Sequence, residues 1–265
     1  MLAAATNALV RVFLAPVCAA CEAVLDRPLE GPVCRACWRA VPAITPPCCA
    51  RCGDALPSWR LAQPLCPRCR RRQPRISLAR SAGRYEGSLR QIIHALKYDK
   101  RRLLAEPLGA LMRQAGADVL VGADAVVPVP LPAWRSWERG FNQADDLARE
   151  LGLPVWRVLR RRAGGRPQAG LPASQRHANV RGAFVLAPRV VLASRLRGRS
   201  AGPLRNCTLV LVDDVMTTGA TLEECARVLA EAGVRTVRAV TAARAVTRPP
   251  PPPPAPLPPS AAPRR

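Results

Sequence analysis

The chain has 265 residues, of which 49% are hydrophobic, so it is long enough for one sizeable α/β domain and a smaller module. Its formal net charge is +23, and Lys97 and Lys100 are the only lysines among its 41 basic residues. A surface with this charge attracts nucleic acids and phosphorylated molecules, but the charge alone does not indicate which of them is the ligand. The apolar stretch near the start is interrupted by Arg11 and is too short for a membrane span. We therefore expect neither a membrane helix nor an export signal, and we expect the protein to be cytoplasmic.

Nine cysteines precede Arg70, and eight of them form four CxxC pairs. Two cysteines at this spacing can bind one metal ion from a tight turn, and two such turns complete a tetrahedral four-thiolate zinc site. The pattern predicts two structural zinc ions in a double zinc ribbon over residues 1–75. Sequential pairing is the first that the spacing suggests, and a cross-braced pairing fits it as well. Disulfides are the competing interpretation, but tandem CxxC pairs are typical of metal sites. The sequential ligand sets are Cys18, Cys21, Cys34 and Cys37, and Cys49, Cys52, Cys66 and Cys69.

A larger domain is predicted over residues 76–248, followed by a disordered proline-rich tail at 249–265. Hydrophobic periodicity and proline positions indicate alternating strands and helices. In chain order, the first predicted elements are a strand at 76–86, helices at 86–97 and 102–115, a strand at 124–130 and a helix at 144–151.

The second half of this domain begins with a polar, basic segment at 160–179 that is typical of a mobile lid. Strand character resumes at 183–186, and the arginine-bearing stretch at 187–206 suggests no element. The last predicted elements are a strand from Leu209, a helix through Glu223 and Ala230, and a strand at 234–243.

Two adjacent carboxylates, Asp213 and Asp214, end the apolar run that starts at Leu209. A loop rich in threonine and glycine follows, and then a helix, whose first N–H groups lack intrahelical partners and carry roughly half a positive charge. Such a loop suits a phosphate group, and carboxylates accept hydrogen bonds from the vicinal hydroxyls of a sugar. The competing interpretation is a strand end that merely caps the next helix. The motif predicts a sugar 5-phosphate site in which the phosphate is held by Thr217, Thr218, Gly219, Ala220 and Thr221.

This motif resembles the phosphoribosyl-pyrophosphate (PRPP) motif of type I phosphoribosyltransferases. Together with the CxxC ribbons and the segments 96–98, 127–130, 139–143 and 168–179, it is similar to the ComF family of competence-associated proteins. The matching segments run in family order from about residue 16 to residue 244. The stretch between 184 and 209 is longer than the family usually has, and the proline-rich tail lies outside the resemblance.

The resemblance implies a type I phosphoribosyltransferase fold, that is, an α/β fold with a mainly parallel sheet flanked by helices and with PRPP at the carboxyl edge of that sheet. It implies that Arg139 and Gly140 contact pyrophosphate, since arginine offers a two-pronged donor and glycine lets the backbone come close. Arg139, Asp213 and Asp214 are the catalytic residues that it assigns. Gln168, Arg176 and Asn179 belong to a hood over the leaving group, and Mg²⁺ bridges pyrophosphate and ribose oxygens.

Two functions from different classes fit these features. The first is a PRPP- and Mg²⁺-dependent transferase whose acceptor the sequence leaves open, with a role in DNA uptake. The second is a non-catalytic adaptor that uses the same fold to bind single-stranded DNA together with competence proteins, because backbone charge dominates such binding.

Overall fold

The computed structural model describes residues 6, 7, 10, 12, 14–57, 64–162, 180–196 and 202–245. The strands within them are β1 (Ile76–Arg84), β2 (Ala125–Pro128), β3 (Leu159–Arg161), β4 (Phe184–Leu186), β5 (Thr208–Met216) and β6 (Thr236–Arg244). Strands β1, β6, β5 and β2 lie side by side in that order and pair in parallel throughout. Strands β3 and β4 form a separate antiparallel pair.

The helices of the described segments are α1 (Arg35–Arg39), α2 (Pro67–Arg71), α3 (Gly87–Tyr98), α4 (Ala105–Ala115), α5 (Ala117–Leu120), α6 (Ala133–Arg139), α7 (Gln143–Arg149), α8 (Pro188–Leu196) and α9 (Ala220–Glu231). Short 3-10 turns occupy Pro28–Glu30 and Arg102–Leu104.

Strand β5 is apolar at every position from Leu209 to Val212 because both faces of the sheet are covered. Successive side chains of a strand point to opposite faces, so Leu209 and Leu211 pack with α9, whereas Val210 and Val212 pack with α3, α4 and α7. Pro128 at the end of β2 is in register with Val212. The loops that follow β2 and β5 therefore lie at the same edge of the sheet.

The cysteine-rich segment packs directly on this sheet. Cys18 belongs to the hydrophobic cluster that holds α3 and α4, whereas Cys49 and Cys52 belong to the cluster that holds α9. The Ala79 amide of β1 donates to the Arg51 carbonyl at 2.7 Å, so the second ribbon is also bonded to the sheet through its backbone.

Most elements of the larger domain lie where periodicity predicts them, with differences at α4, α6 and α8. Helix α5 and strand β3 were not predicted. Strand β3 occupies the start of the segment predicted as a lid, and residues 163–179 of that segment lie outside the described residues. Helix α4 begins at Ala105, because a 3-10 turn precedes it. Helix α6 was not predicted, since its two tryptophans and three charged residues show no apolar stripe. Helix α8 occupies the stretch where no element was expected, and its buried Val190 anchors it to the core. The proline-rich tail lies outside the described residues.

Candidate functional site

The loop at the end of β5 turns sharply into α9. Gly219 adopts φ +76°, a left-handed conformation that glycine accepts without strain, and a Cβ atom there would meet the Met216 Cε at 2.9 Å. Among the described residues, the backbone amides of Thr217, Thr218, Gly219 and Thr221 find no acceptor. The segment from Thr217 to Thr221 thus offers several unused N–H donors at the start of a helix, where the dipole favours an anion.

The two carboxylates of the motif have different surroundings. Asp214 is 5% exposed, with one carboxylate oxygen 2.7 Å from the Lys97 Nζ and the other accepting a hydrogen bond from the Gln143 side chain. Asp213 is partly exposed, and within the described segments the one hydrogen bond that it accepts comes from the amide of Asp214, at 2.9 Å. Asp213 is therefore the freer of the two acids to accept a hydrogen bond from a ligand.

The electrostatic setting favours a proton on Asp213. Desolvation, the largest contribution, and the adjacent charge of Asp214 together raise the pKa of Asp213 to about 7, although the Asp214 amide and the charges of Lys97 and Arg161 oppose the shift. Arg161 of β3 is itself desolvated, and this burial together with the charge of Arg135 lowers the pKa of its guanidinium.

Arg139 ends α6 and points inward, because Gly140 caps the helix in a left-handed conformation at φ +76°. Its guanidinium lies 4.8 Å from the centre of the Tyr98 ring, and its Nη1 donates to the Gln143 side chain at 3.0 Å. Arg139 is 5% exposed, yet its Nε has no acceptor anywhere in the described segments. A buried donor without a partner is rare and costs about 1–3 kcal/mol, so a missing ligand is its simplest explanation.

These contacts form one continuous polar chain from Arg139 through Gln143 and Asp214 to Lys97. It joins four elements, α6, α7, β5 and α3, at the carboxyl edge of the sheet. Within this chain the structure unites the predicted Arg139 and Asp214. Around Gly140 the space is open, since a Cβ atom there would meet nothing within 4 Å.

Each ribbon gathers four sulfur atoms within 4.8 Å of one another, in the sequential grouping. The Sγ atoms of Cys21 and Cys34 are 3.9 Å apart, and those of Cys52 and Cys66 are 3.7 Å apart. Zinc bound tetrahedrally at about 2.3 Å separates its sulfur ligands by about 3.8 Å. A disulfide would bring two sulfurs to about 2.05 Å, so the spacing fits zinc and not disulfides.

Hydrogen bonds to sulfur favour a thiolate at one cysteine of each ribbon, whereas burial and bonds to neighbouring thiols raise the pKa of Cys37, Cys52 and Cys69. A bond from the Cys52 side chain, the largest contribution, lowers the pKa of Cys49 to about 4. Burial raises the pKa of Cys18, but backbone N–H donors outweigh it and lower the value to about 7. Thiolates are the form that binds zinc. Because the protein fills all four positions at each site, these are structural zinc sites.

Comparison with known proteins agrees with both parts of the molecule. Residues 9–70 match the family model of the double zinc ribbon domain, and residues 138–252 match that of the phosphoribosyl transferase domain. Competence protein F of Haemophilus influenzae is 31% identical over 238 residues, which are 86% of this chain and 96% of that protein. The chain belongs to the ComF family. DNA utilization protein YhgH of Salmonella typhi is 32% identical over 78% of this chain and 87% of its own length.

This ComF protein accordingly has the type I phosphoribosyltransferase fold, a parallel sheet flanked by helices, with an N-terminal double zinc ribbon. Among solved structures, glutamine PRPP amidotransferase from B. subtilis is 24% identical, with a TM-score of 0.33, over 52% of this chain and 25% of that one. That likeness is too weak to bear on ligand or activity. None of the helices in the described part of the chain is long and apolar enough to cross a membrane.

Three residues of the site were not predicted from the sequence: Lys97, Gln143 and Arg161. Lys97 carried a signal, because it is one of two lysines in a chain that otherwise uses arginine. A lysine in that setting indicates a place where a compact ammonium is needed and a planar guanidinium does not fit. Gln143 lies in the segment 139–143 that resembles the family, whereas Arg161 carried no signal that is visible in one sequence. The predicted hood residues Gln168, Arg176 and Asn179 lie outside the described residues.

Proposed function

We propose that this ComF protein binds PRPP with Mg²⁺ at the carboxyl edge of β5 and transfers its phosphoribosyl group to an acceptor. The observation that carries the proposal is the buried Arg139 Nε without an acceptor. A pyrophosphate oxygen would satisfy that donor, and arginine recognises phosphate through two parallel N–H bonds. The match of residues 138–252 to the phosphoribosyl transferase domain supports the same assignment.

The remaining contacts of PRPP follow from the loop and the acid pair. The 5-phosphate is received by the unused amides between Thr217 and Thr221, with Ala220 opening the helix behind them. Asp213 accepts hydrogen bonds from the ribose hydroxyls, for which it must be ionised. Asp214 has both oxygens engaged and holds Lys97 and Gln143 in place, although a carboxylate can accept further bonds.

The residues present fit a magnesium ion that arrives with the substrate. Apart from the cysteine clusters, the described residues gather no three acidic or histidine side chains around one point. Mg²⁺ commonly keeps few protein ligands and binds through phosphate oxygens, so pyrophosphate and ribose would hold it. It would supply positive charge against the leaving pyrophosphate.

In the transfer step a nucleophilic atom of the acceptor would use its lone pair to form a bond to C1 of the ribose, while the bond between C1 and the pyrophosphate oxygen breaks and its electron pair leaves with pyrophosphate. Arg139 stabilises the departing negative charge from a buried position, where electrostatic effects are strong. The carboxylates of Asp213 and Asp214 lie on the side of the electron-deficient sugar. We place Gln168, Arg176 and Asn179 in the hood that excludes water from the site. We also place the protein in the reducing cytoplasm, since its cysteines bind zinc.

Calorimetric titration of the full-length zinc-loaded protein with PRPP, with and without Mg²⁺, tests this proposal. We expect Mg²⁺-dependent binding that Arg139→Gln and Asp213→Asn each weaken about tenfold, which is about 1.4 kcal/mol. Arg139→Lys should fail to restore affinity because an ammonium lacks the planar fork. Arg90→Gln, which removes an exposed charge from α3, is the matched control. Absence of binding to the wild type, or equal effects of all variants, would overturn the site.

A second candidate function, single-stranded DNA binding in competence, is favoured by the exposed aromatic face of α6. Trp137 is 91% exposed and Trp134 is 42% exposed, with the Arg135 guanidinium 5.0 Å from the Trp134 ring. Exposed tryptophans beside arginines are suited to stacking on bases, worth about 1–3 kcal/mol per base. The names of the relatives, competence protein F and DNA utilization protein, agree with this class of ligand.

Fluorescence titration with an oligothymidylate separates this role from PRPP binding. Trp137→Ala should weaken the affinity for the oligonucleotide at least fivefold and leave the affinity for PRPP unchanged. Leu103→Ala, which removes another exposed apolar side chain (79% exposed), is the control. Salt-insensitive binding, or equal losses in both variants, would contradict the adaptor role.

A further inference from the structure

A cavity of about 460 Å³ lies between the second zinc ribbon and the loop that follows β5. Arg51, Arg68 and Arg72 line it from the ribbon, and Thr218 and Gly219 line it from the loop. Its walls therefore come from segments that are far apart in the chain. The hydrogen bond between Arg68 and Thr218, which are 150 positions apart, joins them. The volume is sufficient for a phosphorylated sugar.

The ribbon wall of this cavity carries positive charge that the described residues leave unneutralised. Arg51, Arg68 and Arg72 form no ion pair with any carboxylate in the described segments. Arg227, on the opposite wall, is instead paired with Glu224 and with another glutamate of α9. The excess charge is thus concentrated where the ribbon faces the loop, and arginine clusters of this kind recognise phosphate.

Arg68 brings this charge into contact with the loop itself. One of its terminal nitrogens donates to the Thr218 carbonyl, which fixes the guanidinium beside the unused amides of Thr218 and Gly219. A guanidinium has five N–H donors, and the other donors of Arg68 have no partner in the described part of the chain. Arg68 and the loop amides can therefore bind one anion together.

The ribbon is held rigidly in this position by Arg244, which is 1% exposed. Its guanidinium donates to the Asp54 carboxylate at 2.9 Å, to the Cys52 carbonyl at 2.8 Å and to the Met216 sulfur at 3.1 Å. Asp54 and Cys52 belong to the ribbon, whereas Met216 ends β5. One buried side chain thus fixes the zinc knuckle against the residue that precedes the phosphate loop.

We propose that the second zinc ribbon forms part of the ligand site, and that Arg68, supported by Arg72, binds the phosphate of the sugar phosphate that the Thr217–Thr221 loop receives. This inference rests on the proposed function and adds a residue and a domain to its site. It assigns the second ribbon a role in recognition beyond stabilisation. The first ribbon, whose Cys18 packs with α3 and α4, has no part in it.

The test compares Arg68→Gln with Arg70→Gln in the full-length, zinc-loaded protein. Both changes remove one charge from α2, but Arg70 is exposed and does not line the cavity. Ribose 5-phosphate, PRPP with Mg²⁺ and inorganic phosphate are the three probes, and Asp213→Asn reports on the sugar end of the site. We expect Arg68→Gln to weaken all three probes about tenfold, Arg70→Gln to change none, and Asp213→Asn to weaken the two sugar probes.

The possible outcomes distinguish the role of the second ribbon from the proposed binding of PRPP. Equal affinities in Arg68→Gln and Arg70→Gln, with loss in Asp213→Asn, would overturn the role of the ribbon and leave the PRPP site intact. Phosphate binding that depends on Arg68, without any binding of PRPP, would support the ribbon site and refute PRPP as ligand. If Arg68→Gln loses zinc or unfolds, Arg72→Gln decides, with an expected loss of about threefold; unchanged affinity there would refute the inference.

Discussion

The two zinc ribbons each present two CxxC pairs, separated by 12 residues in the first and 13 in the second, but they are embedded differently. In the first ribbon Cys18 is buried and Cys21 is exposed, whereas all four cysteines of the second ribbon are buried. The first packs beside helices α3 and α4, while the second belongs to the same cluster as β5 and α9 and is bonded to Arg244. The same metal chemistry thus serves two purposes. The first ribbon covers helices α3 and α4, whereas the second ribbon lines the cavity beside the Thr217–Thr221 loop.

The largest expected difference follows from removing one zinc ligand from each ribbon. Cys52→Ser should lower the free energy of unfolding by about 3 kcal/mol or more, because metal-binding energy is folding energy and this site lies in the core. Cys21→Ser, at an exposed ligand, should cost about 1 kcal/mol. Urea unfolding gives these values, and native mass spectrometry should show that each variant has lost one of the two zinc ions. Equal destabilisation would mean that both ribbons support the sheet alike.

The buried arginine provides the next largest effect. Arg244→Met should lower the free energy of unfolding by about 3 kcal/mol, because it leaves the Asp54 carboxylate without its partner in a poorly hydrated place. Arg238→Met on the same strand is the control, since the partners of that arginine in the described part of the chain are the carbonyls of Val119 and Val121. Its loss should cost about 1 kcal/mol in the same urea experiment. A similar cost at both positions would remove the special role of Arg244.

Much of this architecture could be predicted because its signals are local. Tandem CxxC pairs specify metal turns over a few residues, and the uninterrupted apolar run before Asp213 indicates a strand covered on both faces. The Thr217–Thr221 loop is likewise specified by a glycine that adopts positive φ and by threonines around it. Such features depend on residues that are close in sequence, so they can be predicted without knowledge of the tertiary structure.

The polar chain around Asp214 could not be predicted in the same way. Its hydrogen bond to Gln143 joins residues 71 positions apart, and the contact of Arg244 with Cys52 spans 192 positions. Such pairings are decided by how the strands are ordered and how the ribbon docks. Periodicity does not contain that information. For the same reason the sequence alone does not indicate a shared role for Arg51, Arg68 and Arg72. These arginines line one cavity with the loop only because the ribbon docks beside it.

The pH dependence of stability sharpens the comparison, because it arises at the end of β5 beside the second ribbon. The pKa of Asp213 is raised by burial to about 7, above its ordinary value of 3.8. Between these two values the unfolded state binds fewer protons than the folded state, so stability falls as pH rises. From pH 5.5 to pH 7 the expected loss is about 2 kcal/mol, and it should level off above pH 7.

Asp213→Asn should abolish this slope in urea unfolding measured across that range, and Cys21→Ser in the first ribbon should keep it. Ligand affinity should change in the opposite direction, since an ionised Asp213 accepts hydrogen bonds from sugar hydroxyls and a protonated one accepts fewer. A wild-type protein whose stability is flat between pH 5.5 and pH 7 would contradict the desolvation of Asp213.

The smallest effect is expected on the outer surface of the first ribbon. Glu30 pairs there with Arg27 at 2.9 Å and with Arg35 at 3.1 Å, and these contacts lower the pKa of its carboxylate, chiefly through the hydrogen bond from Arg27. All three side chains are largely exposed, so water and salt screen their attraction and little is gained by pairing. Glu30→Gln should leave the urea midpoint unchanged within error at pH 7, at both low and high salt. A shift approaching that of Arg244→Met would show that the first ribbon is also fixed by its charges, and the contrast between the two ribbons would then lie in their ligands alone.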